Sequence, residues 1–158
     1  KKNFSCHLND VTSNGDFLYV TYFSKTGKWR EGIFDGGVSK INLKKNYLID
    51  EIISNLKKPH SPEIIDNKIY VLDSFNGNLT SKKEILAHFP GFVRGLAFDK
   101  RNFYIGQSED MYTSQHFGSN LRNTMCNAGI YKVDLTKNIS RFISMYDNMN
   151  IHDILIYS

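Results

Sequence analysis

Short apolar runs separated by polar turns recur along the chain. Three of them superpose on a central tyrosine without gaps: Phe17-Leu18-Tyr19-Val20, Lys68-Ile69-Tyr70-Val71 and Asn102-Phe103-Tyr104-Ile105. Upstream of each lies another apolar run, and turn formers of hairpin length separate the two: Ser13-Asn14-Gly15-Asp16, Asp66-Asn67-Lys68 and Asp99-Lys100-Arg101-Asn102. Each unit is therefore predicted to open with a β-hairpin. A second block supplies outer strands, because Gly37 to Leu43 matches Gly129 to Leu135, and each is followed by a polar turn and an apolar run (Leu48 to Ile53, Arg141 to Met145). The two blocks stand 92 residues apart. A four-stranded propeller blade takes about 40–45 residues, so the separation corresponds to two blades. The pattern predicts an all-β chain of four-stranded β-propeller blades.

Length limits how many blades there are. At about 42 residues per blade, 158 residues hold about three blades and the first strand of another. The expected units are 7–59, 60–93, 94–151 and the start of the next at 152–158, together one partial propeller domain. Propellers close with about four to eight blades. The expectation is thus part of a larger six- or seven-bladed propeller, or closure by a second chain. A β-sandwich also has many short strands, but it does not repeat one local sequence context at every blade length. Insertions fall at Ser24 to Phe34 and Ser108 to Asn127, where loops join the strands.

Composition adds material for a core, with 41% hydrophobic and 13% aromatic residues. No run approaches the roughly 20 apolar residues that a membrane helix requires, and no signal-peptide pattern opens the sequence. No membrane partner is expected, and a cytoplasmic setting is favoured. Cys6 and Cys126 lie in different units and are read as reduced thiols. The net charge of +4 is spread over Lys44-Lys45, Lys57-Lys58, Lys82-Lys83 and Lys100-Arg101 in successive turns, which argues against nucleic acid as a partner. No Gly-rich phosphate loop, Cys-x-x-Cys pair or Gly-x-Ser-x-Gly elbow is present.

Candidate chemistry follows from the repeat. Ten positions before each aligned tyrosine stand Asn9, His60 and Arg94, and the closing segment His152-Asp153-Ile154 puts His152 in the same column, at spacings of 51, 34 and 58 residues. Inner propeller strands run side by side, so equivalent ends converge on the mouth of the central channel. That places Asn9, His60, Arg94 and His152 around the mouth, with His7, Asp10, Ser61 and Asp153 beside them. The reading is a site for a small polar or anionic ligand that uses Asn9, Asp10, Ser61, Trp29 and Asp153. One alternative is a metal-dependent lyase or hydrolase, with zinc, manganese or calcium held by His7, His60 and His152 and with Arg94 and His60 acting on substrate. Another is a non-catalytic scaffold for protein contacts. Structural readings stay open beside these: His60 satisfying a buried carbonyl, Arg94 pairing with Asp10 or Asp153, and His88 and His116 as surface residues. Trp29-Arg30-Glu31 offers a ring for a planar ligand or packing across a blade edge. Gln107, Tyr112, His116 and Arg122 in the second insertion are further polar candidates.

Several ordered blocks carry a resemblance: His7-Leu8-Asn9-Asp10-Val11, Trp29-Arg30-Glu31, Asp35-Gly36-Gly37-Val38, Pro59-His60-Ser61-Pro62, Leu72-Asp73-Ser74, Gly77-Asn78-Leu79 and Phe89 to Phe98. Together they resemble a propeller-like family, domain of unknown function 4915, over about His7 to Ile156. The resemblance implies chains about twice this long, in keeping with a partial propeller, and implies no activity. The plan is also similar, in architecture alone, to gluconolactonase-like propellers with carboxylate and Asn ligands to a divalent ion. A second architectural likeness is to the peptidylglycine amidating lyase, with axial histidines on zinc and an arginine nearby. Fold likeness is a weak warrant for chemistry.

Overall fold

The computed structural model describes residues 6–45, 48–109, 127–145 and 150–157. Tyr112, His116, Arg122 and Cys126 fall outside the described residues. Within the described residues the apolar runs become twelve strands: β1 (Leu8–Asn14), β2 (Phe17–Tyr22), β3 (Gly36–Asn42), β4 (Leu48–Leu56), β5 (Pro59–Ile65), β6 (Lys68–Asp73), β7 (Asn78–Ser81), β8 (Glu84–His88), β9 (Phe92–Phe98), β10 (Phe103–Ser108), β11 (Gly129–Asp134) and β12 (Ile139–Ser144). They form three four-stranded antiparallel sheets, β1-β2-β3-β4, β5-β6-β7-β8 and β9-β10-β11-β12, each in chain order. This is the strand plan of propeller blades.

Local chemistry explains the hairpins. Asp66 and Asn67 join β5 to β6 with φ of 48° and 60°, the left-handed pair that matches strand twist in a two-residue turn. Between β9 and β10 the Asp99 carboxylate instead accepts the backbone N–H groups of Arg101 and Asn102, an Asx-type closure of a four-residue loop.

The first strand of each sheet neighbours the first strand of the next, β1 beside β5 and β5 beside β9. The second sheet is consequently covered on both faces. One apolar layer, Tyr19, Val38, Ile53, Leu56, Ile69 and Val71, joins it to the first sheet. A second layer, which includes Leu72, Leu79, Val93, Leu96, Phe103 and Ile105, joins it to the third.

Each inner strand carries a β-bulge at the same level. The ladder to the neighbouring strand slips between Leu8 and Val11, between His60 and Glu63, and between Val93 and Leu96, opposite Thr21, Val71 and Gly106. The bulged pairs are Asn9-Asp10, Ser61-Pro62 and Arg94-Gly95. This corrects the repeat alignment for the middle unit: Ser61, and not His60, is the ladder equivalent of Asn9 and Arg94. The cause is a strand one residue shorter after the bulge, Glu63–Ile65 against Val11–Asn14, and one residue of slip turns a side chain to the other face.

The bulges are hydrogen-bonded to one another. The Asp10 carboxylate accepts the N–H of Ser61 at 2.8 Å, and the Ser61 hydroxyl accepts the N–H of Gly95 at 3.0 Å. Asn9 donates from its amide to the Pro59 carbonyl at 3.3 Å. Replacing Asp10 by alanine leaves the buried Ser61 N–H without an acceptor, at a cost of about 1–3 kcal/mol. Urea denaturation is expected to show this loss and its recovery in Asp10→Asn, and equal stability in all three proteins would show that the line contributes nothing.

Residues 151–157 lie where a next inner strand would begin but pair in no ladder, so the expected first strand of another blade is not formed as a strand. An extended segment becomes a strand through its partner, and none is available to it among the described residues. It is tied instead through Ser108, whose hydroxyl accepts the Ile151 N–H at 3.0 Å and bonds the Ile151 carbonyl at 3.1 Å. Close approach is possible because Gly106 lacks a side chain: a Cβ there would stand 2.5 Å from Ile151 Cγ2 and 2.2 Å from the Arg94 carbonyl oxygen.

Candidate functional site

The starts of the inner strands bring residues of all three sheets to one end of the array. His60 is at the centre, 2% exposed. Its Nδ1 lies 2.9 Å from the Lys58 carbonyl and 2.8 Å from Ser74 Oγ. A carbonyl oxygen only accepts, so Nδ1 carries the proton and Nε2 keeps its lone pair. Rings close the rest of the pocket: Phe23 of the first sheet at 5.3 Å and Phe92 of the third at 5.5 Å, both edge-on. Burial first, then the Arg94 cation, pushes the His60 pKa down to about 3. This histidine is neutral at ordinary pH.

His7 begins the same cluster from the first sheet. It stacks on Phe23 at 4.4 Å and meets Trp29 at 4.6 Å. Trp29 belongs to a short 3₁₀ turn, Trp29–Glu31, in the first insertion, and the Arg30 guanidinium lies 4.9 Å from the centre of its ring. The His7 pKa is lowered by burial first and then by Arg30, Lys58 and Arg94. All three charges acting on it are positive. The Lys58 ammonium sits 5.3 Å from Phe34 and 5.7 Å from Phe75, so its charge is held over rings.

Arg94 completes the group from the bulge of β9. Its Nε is buried and has no hydrogen-bond partner among the described residues. Such a group costs about 1–3 kcal/mol if left unmade and calls for an explanation. The acids expected as its partners are engaged elsewhere: Asp10 accepts the Ser61 N–H, and Asp153 accepts the N–H of Ile154 at 2.9 Å. The ion pairs among the described residues are Lys25–Glu51 and Lys44–Asp16, and neither includes Arg94.

The structure therefore brings together His7, Trp29, His60 and Arg94, with Asn9, Asp10 and Ser61 in the bulges beneath them. Among the described residues the His152 side chain makes no contact with this group, and the Asp153 backbone lies beside Gly95. Both are exposed, and Asp153 acts electrostatically on Glu63, whose carboxyl is pushed up by burial first and by that charge second. Trp29 is engaged by His7 and Arg30, which fits ring packing better than an open platform. No three of His, Cys, Asp and Glu come together among the described residues. Two contributors were missed in the sequence: Phe23, which bridges His7 to His60, and Lys58. The available signal for Lys58 was its place directly before Pro59-His60. Gln107 fixes a loop, accepting the Gly91 N–H and donating to the Asn127 carbonyl. Cys6 is a free, half-buried thiol, and no helix among the described residues is long and apolar enough to cross a membrane.

No curated protein and no solved structure matches the chain. The sequence model of one family, described as Domain of unknown function (DUF4915), matches residues 2–156. That span contains all three sheets, the bulged inner strands and the cationic cluster at their end. The chain accordingly belongs to the DUF4915 family.

Proposed function

We infer that this chain is a ligand-binding protein that takes a small anion at the end of its inner strands. The observation that carries the reading is the buried Arg94 Nε without a partner, in a cluster where every charge acting on His7 is positive. Positive potential of this kind attracts anions, and a guanidinium in a partly dry setting binds them more strongly than one in water. Arg30 and Lys58 supply potential while lying over rings; Arg94 supplies the donor. His60 orients the floor: its Nδ1 proton is committed to Lys58 and Ser74.

Titration calorimetry at low ionic strength with inorganic phosphate tests the reading. Saturable binding is expected that weakens in Arg94→Ala by about tenfold or more, since a hydrogen bond to a charged group contributes about 1.5–3 kcal/mol. Binding should also weaken as salt screens the cluster. Absence of binding, or equal binding by Arg94→Ala, would contradict it.

A further inference from the structure

We propose that the bound anion presents two oxygens on one centre, as a carboxylate or a phosphate does, and that Arg94 grips them side-on through Nε and one terminal nitrogen. This deepens the anion-site reading and rests on it. A guanidinium meets such a group either through its two terminal nitrogens or through Nε and the neighbouring Nη, and both modes give two parallel hydrogen bonds.

The structure favours the second mode. Arg94 Nε is a buried donor with no partner among the described residues. It is also the guanidinium atom nearest a clamped backbone. The Gly95 N–H is held by Ser61, Gly95 adopts φ +78° with the Asp153 backbone 3.0 Å from where its Cβ would be, and Gly106 lets the second strand close on the Arg94 carbonyl. The stem of Arg94 thus starts from a fixed point, and Nε, four bonds from Cα, inherits more of that order than the terminal nitrogens do. Preorganised donors lose less on binding. The remaining cations do not duplicate the fork: Arg30 lies over Trp29, and Lys58 carries a compact ammonium over Phe34 and Phe75. A lysine in place of Arg94 would keep the charge and lose the paired geometry.

The test compares acetate, inorganic phosphate near pH 6 and chloride, three anions of similar charge there, by calorimetry on the wild-type chain and on Arg94→Lys, with circular dichroism to confirm folding. Acetate or phosphate is expected to bind the wild type at least tenfold more tightly than chloride, and this preference is expected to collapse in Arg94→Lys while chloride binding persists. Whichever of the two oxyanions binds more tightly assigns the source as carboxylate or phosphate. A preference retained in Arg94→Lys overturns the side-on grip and leaves the anion site standing, as does a wild type that takes chloride equally well. A wild type that binds none of the three overturns both readings.

Discussion

Truncating Leu96 to alanine is expected to destabilise the chain by about 3 kcal/mol, lowering Tm by about 9 °C. Leu96 stands on the innermost strand of the third sheet, 1% exposed, in the layer that it shares with Leu72 and Leu79 of the second sheet. Removing three carbons there loses their transfer from water. It also leaves a cavity that closes poorly, because β9 is held by ladder bonds to β10 and by the Ser61–Gly95 bond to the neighbouring sheet. Leu96→Met, which keeps the volume, is expected to cost less than about 1.5 kcal/mol. Ile139→Ala is the control, since Ile139 begins the outermost strand and is 60% exposed. Calorimetric or urea unfolding checks the series. A Leu96→Ala loss no larger than that of Ile139→Ala would contradict the packing of inner strands between sheets.

The second large effect is acid sensitivity through His60. Its pKa is about 3 in the folded chain and near 6.5 when unfolded. Between these values the unfolded state binds more protons, so stability rises with pH. The contribution is complete above about pH 6.5 and is lost as pH falls toward 3, by about 1.4 kcal/mol for each pH unit across that window. His7, also lowered, acts in the same direction. The variant His60→Asn retains a donor for the Lys58 carbonyl and cannot titrate. It is expected to be less stable than the wild type at pH 7, through the lost ring contacts with Phe23 and Phe92, and to have a flatter stability profile between pH 6.5 and 4.5. Asp35 and Glu51, whose pKa values are also lowered, are common to both proteins and cancel in the comparison. Parallel profiles would show that His60 titrates normally and is not enclosed as described.

The hairpins, the four-strand units and the inner-strand column were legible in the sequence because turn residues and apolar alternation are local signals. The level of the column was less so. Gapless alignment on Tyr19, Tyr70 and Tyr104 put His60 in register with Asn9 and Arg94, whereas the ladder pairs Ser61 there. A bulge uses one extra residue without changing the apolar pattern, so a compensating one-residue shortening between Ser61 and Asp66 left no trace in hydropathy. Arg94 was legible as a residue of the channel mouth that acts on a substrate. Its setting was not, because Phe23 and Arg30 come from the β2–β3 connection and Lys58 from the turn between β4 and β5, and they surround Arg94 only once the sheets pack side by side. The unpaired state of Nε depends on where Asp10 and Asp153 point, and that is decided by the bonds Asp10 makes to the next inner strand.

The central claim is that Arg94 Nε is a donor awaiting an anion, and nuclear magnetic resonance of the arginine Nε–Hε pair tests it most directly. With acetate added to saturation, the Arg94 Hε signal is predicted to move downfield and to exchange with solvent more slowly, while the Arg30 signal moves little. An Arg94 signal that stays in place under saturating acetate and phosphate would contradict the account.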